Sequence, residues 1–334
     1  MTAAVGAAPT DLIDHRLLFV TGKGGVGKTT ISAALAIHAA NHGRRVLVCE
    51  VDAKGTLAAA FEAGPLRFEA RPVHDGISAM AMNTEDSLRE YLRLYVRLPL
   101  VARLGPLART FDFVADAAPG VKEILTVGKV CYEVRERHYD LVVVDAAASG
   151  HIAAQLSAPW SINDLVQVGL VRDQTRWMTE ILADPHQTGV VVVTTPEELP
   201  VNETLELIDR LGATVPVRTA AVVVNRVLPE LFTHDEEAVF AGLRTPGTVQ
   251  ALSRKLAASL SKMSVGAAAR DVTSVLDAAA LAVALRRERA ENLVLLQERL
   301  PAGLATVLVP ELFARSHGKR AVMQVAAALQ DELG

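Results

Sequence analysis

Apolar and polar residues along this chain form short apolar runs separated by longer amphipathic stretches. The runs are rich in Val, Ile, Leu and Ala, and they have the length and composition of buried β-strands. The pattern predicts strands at Leu17–Thr21, Arg45–Glu50, Ile77–Met82, Leu141–Asp145, Val190–Thr194, Ala221–Asn225 and Ala305–Val309. Helical stretches separate these strands, and the first helix is predicted over Thr29–Asn41, where Gly43 provides a natural end.

The alternation of strands and helices predicts an α/β fold. Strand–helix–strand units favour right-handed crossovers, and therefore a mostly parallel central sheet flanked by helices. Two stretches do not alternate simply: a helical insertion at about 84–134 and a helical region, rich in Ala and Leu, at about 233–301. No internal repeat is visible. We therefore expect a disordered arm over residues 1–14 and a single domain over residues 15–334.

The first predicted strand runs into a glycine-rich turn that opens the first helix. Gly22, Gly27, Lys28 and Thr29 fit the phosphate-loop pattern G-x-x-x-x-G-K-[ST], in the strand–loop–helix context that this motif requires. Backbone N–H groups of such a loop surround the phosphates, and the helix N-terminus adds positive potential. Lys28 would neutralise the β- and γ-phosphates, and the Thr29 hydroxyl would bind Mg²⁺. The predicted nucleotide-binding residues of the loop are Gly22, Lys23, Gly24, Gly25, Val26, Gly27, Lys28, Thr29 and Thr30.

A carboxylate ends the strand predicted at Leu141–Asp145. The four residues before Asp145 are all apolar, which is the Walker B pattern. The aspartate of that pattern holds Mg²⁺ directly or through water. We therefore predict that Asp145 and Thr29 form the metal site.

The net charge and the cysteine content of the chain limit the classes of protein to which it can belong. The formal net charge of −4 indicates no general affinity for nucleic acid or anionic lipid. Cys49 and Cys131 lie far apart and outside any C-x-x-C pattern, which predicts a reduced protein without a disulfide framework or zinc site. The first fifteen residues do not resemble a targeting signal, and no apolar run reaches the ~18 residues of a membrane span. We expect a cytoplasmic protein with no stable membrane insertion.

A second lysine makes the phosphate loop distinctive. Lys23 follows the first glycine and gives K-G-G-V-G-K-T, the deviant form of the loop. Together with D-A-A-A-S-G-H at 145–151 and V-V-V-N-R at 222–226, this loop resembles the ArsA/Get-type ATPases, and most of all the single-unit actinobacterial ArsA-like subunits that are encoded as pairs. The resemblance covers most of Leu17–Phe313. It implies ATP and Mg²⁺ as cofactors, and it implies that Lys23 reaches across a dimer interface to the partner's nucleotide.

Further site residues follow from the same resemblance. Asp52 aligns with the aspartate that orients the attacking water, although D-A-K-G-T-L-A-A-A-F lacks the family's proline and carries Gly55. Glu50 is a second candidate for that role. Gly150 would approach the γ-phosphate through its backbone N–H, and Asn225 would read the adenine edge with its amide. The predicted catalytic residues are therefore Asp52, Lys23 and Lys28.

The resemblance implies a Mg-ATP-dependent dimeric switch, in which ATP closes the dimer and hydrolysis reopens it. The partner would be a second copy or a related phosphate-loop ATPase, and closure would be coupled to a client or partner protein, with a membrane protein as one candidate client. The metalloid-binding cysteines of arsenite pumps have no counterpart in this chain. We therefore do not expect arsenite transport.

Two alternatives remain open at this point. A positioning ATPase of the MinD or ParA type would bind membrane or DNA, but residues 321–334 contain Asp331 and Glu332 and no basic residue, and the total charge is acidic. A nucleotide-binding pseudo-ATPase subunit of a heterodimer is the second alternative. The altered loop after Glu50 and the alanines at Ala146 and Ala148 keep it open.

Overall fold

A computed structural model of the chain describes residues 12–51, 54–91, 120–146, 148–165, 170–262, 269–313 and 318–333. The strands are β1 Leu17–Gly22, β2 Val46–Glu50, β3 Arg71–His74, β4 Ile77–Ala81, β5 Leu141–Asp145, β6 Thr188–Thr194, β7 Thr219–Val227 and β8 Ala305–Pro310. The helices are α1 Lys28–Asn41, α2 Thr56–Ala60, α3 Thr84–Tyr91, α4 Val121–Arg135, α5 Ser149–Leu165, α6 Leu170–Ala183, α7 Glu198–Thr214, α8 His234–Leu243, α9 Pro246–Lys262, α10 Ala269–Arg299 and α11 Lys319–Leu333.

The strands form one sheet in the order β3-β4-β2-β5-β1-β6-β7-β8. Every neighbouring pair is parallel except β3 and β4, which are antiparallel. The predicted α/β fold with a mostly parallel sheet is confirmed. Strand β3 was not predicted, because its sequence R-P-V-H is short, exposed at Arg71 and Pro72, and lacks the apolar run that marks the other strands.

Helices cover both faces of the sheet, and the alternation of side chains along the central strand accounts for the two halves of the core. Leu18 and Val20 of β1 pack into one apolar cluster with α1 and α11. Leu17 and Phe19 point to the opposite face and pack with residues of α4, α5, α6 and α7. All six residues of β1 are buried. A strand buried on both faces reads as a continuous apolar run, which is why it could be recognised in the sequence.

The helical stretches outside the simple alternation are described in part. Helices α3 and α4 lie within the predicted insertion 84–134, and residues 92–119 lie outside the described residues. Helices α8, α9 and α10 lie within the predicted region 233–301. Of the predicted arm, residues 12–14 form a short 3-10 helix with Leu12 buried, and the residues before them are not described. Among the described helices, none is long and apolar enough to cross a membrane.

Both cysteines are buried in the layers around the sheet. Cys49 lies in β2 and Cys131 in α4, and burial raises the pKa of each thiol far above its ordinary value. The thiolate is the reactive form of cysteine, so a buried thiol with a raised pKa is inert.

We expect an aromatic disulfide reagent at pH 8 to label neither cysteine in the folded protein and to label both in guanidinium. Rapid labelling of the folded protein would contradict this burial.

Candidate functional site

The predicted phosphate loop lies at the carboxyl end of the central strand, where ligands bind in open parallel sheets. Gly22 ends β1 so close to β6 that a Cβ there would lie 2.1 Å from the Val193 carbonyl oxygen, so only glycine fits. The loop then turns into α1, which begins at Lys28. Gly27 precedes this helix with a φ of 98°, and no side chain caps the helix. The uncapped first turn, with Thr29 and Thr30, is the arrangement that favours phosphate binding.

The two loop lysines have different surroundings. The Lys28 ammonium donates a hydrogen bond to the Lys23 carbonyl oxygen at 3.1 Å. The Lys23 ammonium pairs with the Glu203 carboxylate of α7 at 2.8 Å, within the same chain. Both partners of this ion pair are about a third exposed, and pairs of that kind contribute only ~0–1 kcal/mol. Lys23 can therefore leave Glu203 for another anionic partner at little cost.

The predicted metal ligands lie next to each other. The Thr29 hydroxyl donates a hydrogen bond to the Asp145 carboxylate at 2.6 Å, because β1 pairs with β5 in a register that sets Val20 against Asp145. The Thr56 hydroxyl at the start of α2 lies 3.4 Å from the Thr29 hydroxyl. A carboxylate and hydroxyl groups are hard oxygen ligands. They fit Mg²⁺, which takes few protein ligands and completes its shell with phosphates and water.

Glu50 has a clear structural partner at the end of β2. Its buried carboxylate accepts hydrogen bonds from the backbone N–H groups of Gly55, Thr56 and Leu57, at 3.2, 2.8 and 3.2 Å, and from the Thr56 hydroxyl at 2.7 Å. Gly55 has a φ of 76°, in the left-handed region that glycine favours, and this turn aims the three N–H groups at one carboxylate. Glu50 therefore anchors the loop and caps α2. The departure at Gly55 has this structural reason.

The remaining predicted residues are distributed around the same edge of the sheet. Asn225 lies in β7, buried, and its amide nitrogen donates to the Val26 carbonyl of the phosphate loop at 2.8 Å. Gly150 lies exposed in the first turn of α5, five residues after Asp145 ends β5. Asp52 lies outside the described residues, so its role as the water-orienting carboxylate stays a prediction.

Sequence reasoning missed two contributors to the site. The Thr56 hydroxyl was not considered, and the pairing of Glu203 with Lys23 links residues 180 positions apart. The Thr56 contact is local in sequence, because Thr56 lies six residues after Glu50. The pairing of Lys23 with Glu203 had no local signal, because the packing of α7 beside the loop creates it.

Comparison with known proteins identifies the family. The model of the family described as "Anion-transporting ATPase" matches residues 15–172 and 164–243. The ATPase BagA of Mycobacterium tuberculosis is 34% identical over 261 residues, which cover 72% of this chain and 76% of that protein. The chain belongs to the anion-transporting ATPase family and is an ATPase. The resemblance to ArsA/Get-type ATPases with actinobacterial relatives is confirmed.

More distant relatives carry different functional names. The ATPase get3 of Neurospora crassa is 27% identical over 64% of this chain and 73% of its own length. The arsenical pump-driving ATPase of Acidiphilium multivorum is 28% identical over 64% of this chain and 40% of its own length. Both relatives are named as ATPases, and only the second name refers to an arsenical pump.

The Glu50 anchor leads to a stability prediction. Glu50→Gln replaces one carboxylate oxygen by an amide NH₂ group, which cannot accept the hydrogen bonds that the carboxylate accepts. Hydrogen bonds to a charged group contribute about 1.5–3 kcal/mol. We expect the free energy of unfolding in urea to fall by about that amount. The control is Glu198→Gln at an exposed position in the first turn of α7, where we expect a change within roughly 0.5 kcal/mol. Equal stabilities of the two variants would contradict the anchoring role.

Proposed function

We propose that this protein is a cytoplasmic, Mg-ATP-hydrolysing dimeric switch that couples ATP-driven dimer closure to a client or partner protein. The observation that carries the proposal is the contact between Thr29 and Asp145 at 2.6 Å, directly beside the phosphate-loop Lys28. This contact joins the hydroxyl of the loop to the carboxylate of the Walker B strand at one point. Membership in an ATPase family gives the reaction, and the contact supports Thr29 and Asp145 as the proposed metal ligands.

Phosphoryl transfer requires a protein mainly to position the reacting groups and to neutralise the charge on the phosphates. The loop N–H groups and Lys28 would hold the phosphates, and Thr29 with Asp145 would hold Mg²⁺. When bound, the ion would neutralise charge on the phosphate oxygens. Asp52 would orient the attacking water, since one carboxylate on the loop after β2 is what the mechanism requires. The anchor formed by Glu50 supports this assignment, because it fixes Gly55 and Thr56 on the far side of the same loop.

The dimer part of the proposal concerns Lys23. In the free chain its ammonium is held by Glu203, and a weak, partly exposed pair of this kind can be exchanged for a phosphate of a neighbouring subunit. Closure of the dimer would then exchange the Glu203 carboxylate for a phosphate as the anionic partner of Lys23. The partner would be a second copy or a related phosphate-loop ATPase.

The helices α8, α9 and α10 are the proposed route to the client. They carry exposed apolar side chains at Val239, Leu256, Val275 and Leu281. Contiguous exposed apolar patches are typical of interaction surfaces. Helix α10 also contacts the loop between β6 and α7, since the Arg289 guanidinium donates to the Glu197 carboxylate at 3.1 Å. This contact links the layer to the helix that bears Glu203.

Asp52→Asn tests the hydrolysis mechanism. The variant keeps the phosphate loop but loses the charge that orients water, so we expect Mg-ATP affinity close to that of the wild type and turnover lower by roughly 100-fold or more. Calorimetry measures the affinity and phosphate release measures turnover. In Lys28→Ala, used for comparison, we expect no detectable binding. Unchanged hydrolysis in Asp52→Asn would remove Asp52 from the mechanism, and retained affinity in Lys28→Ala would refute the phosphate-loop assignment.

Lys23→Ala tests the dimer. We expect turnover per chain to fall at least about tenfold, while the affinity of the dilute, monomeric chain for Mg-ATP changes by less than about threefold, because Lys23 would act on the partner's nucleotide. Turnover measured against protein concentration separates the two effects. Lys255→Ala, which removes an exposed lysine from α9, serves as the charge-matched control. Equal losses of turnover and monomer affinity would place Lys23 in its own chain's site instead.

A further inference from the structure

Asn225 is bound to the phosphate loop, although 199 residues separate it from Val26 in sequence. Side chains alternate along β7, so Asn225 shares a face of the sheet with Val223, which packs in the same cluster as the buried residues of α1. That face is the one on which the phosphate loop turns into α1. From there the Asn225 amide nitrogen donates to the Val26 carbonyl at 2.8 Å, and the Asn225 side chain is only 7% exposed.

The orientation of the Asn225 amide is fixed by a second contact. Its oxygen accepts a hydrogen bond from the Arg226 backbone N–H at 3.0 Å, which leaves the nitrogen pointing to Val26. Arg226 has a φ of 61°, a conformation that residues other than glycine rarely adopt. The register between β7 and β8 shifts at this place, between Val224 and Val227. An irregularity of this kind redirects a side chain at the edge of a site.

The phosphate loop fits closely around this amide. A Cβ on Gly27 would lie 2.4 Å from the Asn225 amide nitrogen, and Gly27 has a φ of 98°, so the loop approaches Asn225 as closely as glycine allows. Val26 is buried, although it lies between the exposed Gly25 and the half-buried Gly27. The hydrogen bond therefore fixes the direction of the Val26 carbonyl, which points to Asn225. A carbonyl oxygen that pointed at a phosphate would repel it, whereas N–H groups bind it.

We propose that Asn225 is a positioning residue for the phosphate loop and supports triphosphate binding whatever base is attached. This role goes beyond recognition of the adenine base, which is the role that the family resemblance suggests for Asn225. An amide nitrogen has two hydrogens and an amide oxygen accepts two hydrogen bonds, so a base could still use the remaining capacity. The bond to Val26 acts on the loop itself, and its effect must extend to ligands without a base. The inference rests on the proposed function only in that the loop binds a triphosphate.

The test compares ligands with and without a base. Mg²⁺-dependent binding of ATP, GTP and inorganic tripolyphosphate is measured by calorimetry on the full chain, as wild type and as Asn225→Ala. We expect the variant to lose about tenfold in affinity for tripolyphosphate, the effect of one hydrogen bond to a buried carbonyl, together with similar losses for ATP and GTP. Unchanged tripolyphosphate affinity with a loss for ATP would overturn the proposal, because Asn225 would then read the base alone.

A second variant covers the case in which Asn225→Ala does not fold. Asn225→Asp keeps the size of the side chain and its contact with Arg226, but it sets a carboxylate against the Val26 carbonyl, so we expect a larger loss of tripolyphosphate affinity. Gln187→Ala is the matched control. It removes an amide that donates to the Asp184 carboxylate at 2.7 Å, beside the amino end of β6 and away from the loop. We expect the affinity of this control for all three ligands to equal that of the wild type.

Failure of the proposed function gives a different result. If the wild type binds none of the three ligands, the loop is not a triphosphate site, and Asn225 is then judged on the free protein. Amide hydrogen exchange of residues 22–27 should be faster in Asn225→Ala than in the wild type if Asn225 holds the loop. Equal exchange rates would overturn the proposal.

Discussion

The backbone pairing of β1 with β5 on one side and β6 on the other is the constraint on which the rest of this structure depends. It places Gly22 against Val193 and Val20 against Asp145, so the phosphate loop starts where two neighbouring strands also end. Because these strands are parallel, their carboxyl ends meet at one edge of the sheet. All six residues of β1 are buried, so helices pack against both faces of this strand.

The polar and charged side chains at this edge of the sheet have two kinds of role. Thr29 and Asp145 would supply oxygen atoms for the proposed metal ion, and they come together through the register of β1 and β5. Glu50 and Asn225 act on backbone groups instead: the first collects the N–H groups of the loop at 55–57, and the second holds a carbonyl of the phosphate loop. Oriented backbone groups are the main means by which a loop of this kind binds phosphate, so residues that set backbone direction matter as much as those that would touch the ligand.

The ion pair of Lys23 and Glu203 relates the site to the proposed dimer. A lysine that serves a neighbouring subunit must be available at the surface, and an unpaired lysine beside Lys28 would add like-charge repulsion to an empty phosphate site. The pair with Glu203 reduces that repulsion, and its partial exposure keeps the pair weak. Whether the partner is a second copy or a related chain, the same exchange of anionic partners would accompany closure.

The sequence by itself determined the fold class, the position of most strands, the phosphate loop and the family. These features are local: an apolar run, a glycine-rich turn with Lys28 and Thr29, and a carboxylate at Asp145 are each read within a few residues. Strand β3 was missed because its short sequence lacks an apolar run. Only the tertiary structure decided that Lys23 meets Glu203 and that Asn225 binds Val26. These contacts depend on strand order and register. Both arise from burying the whole sheet between two helical layers, and no local pattern encodes them.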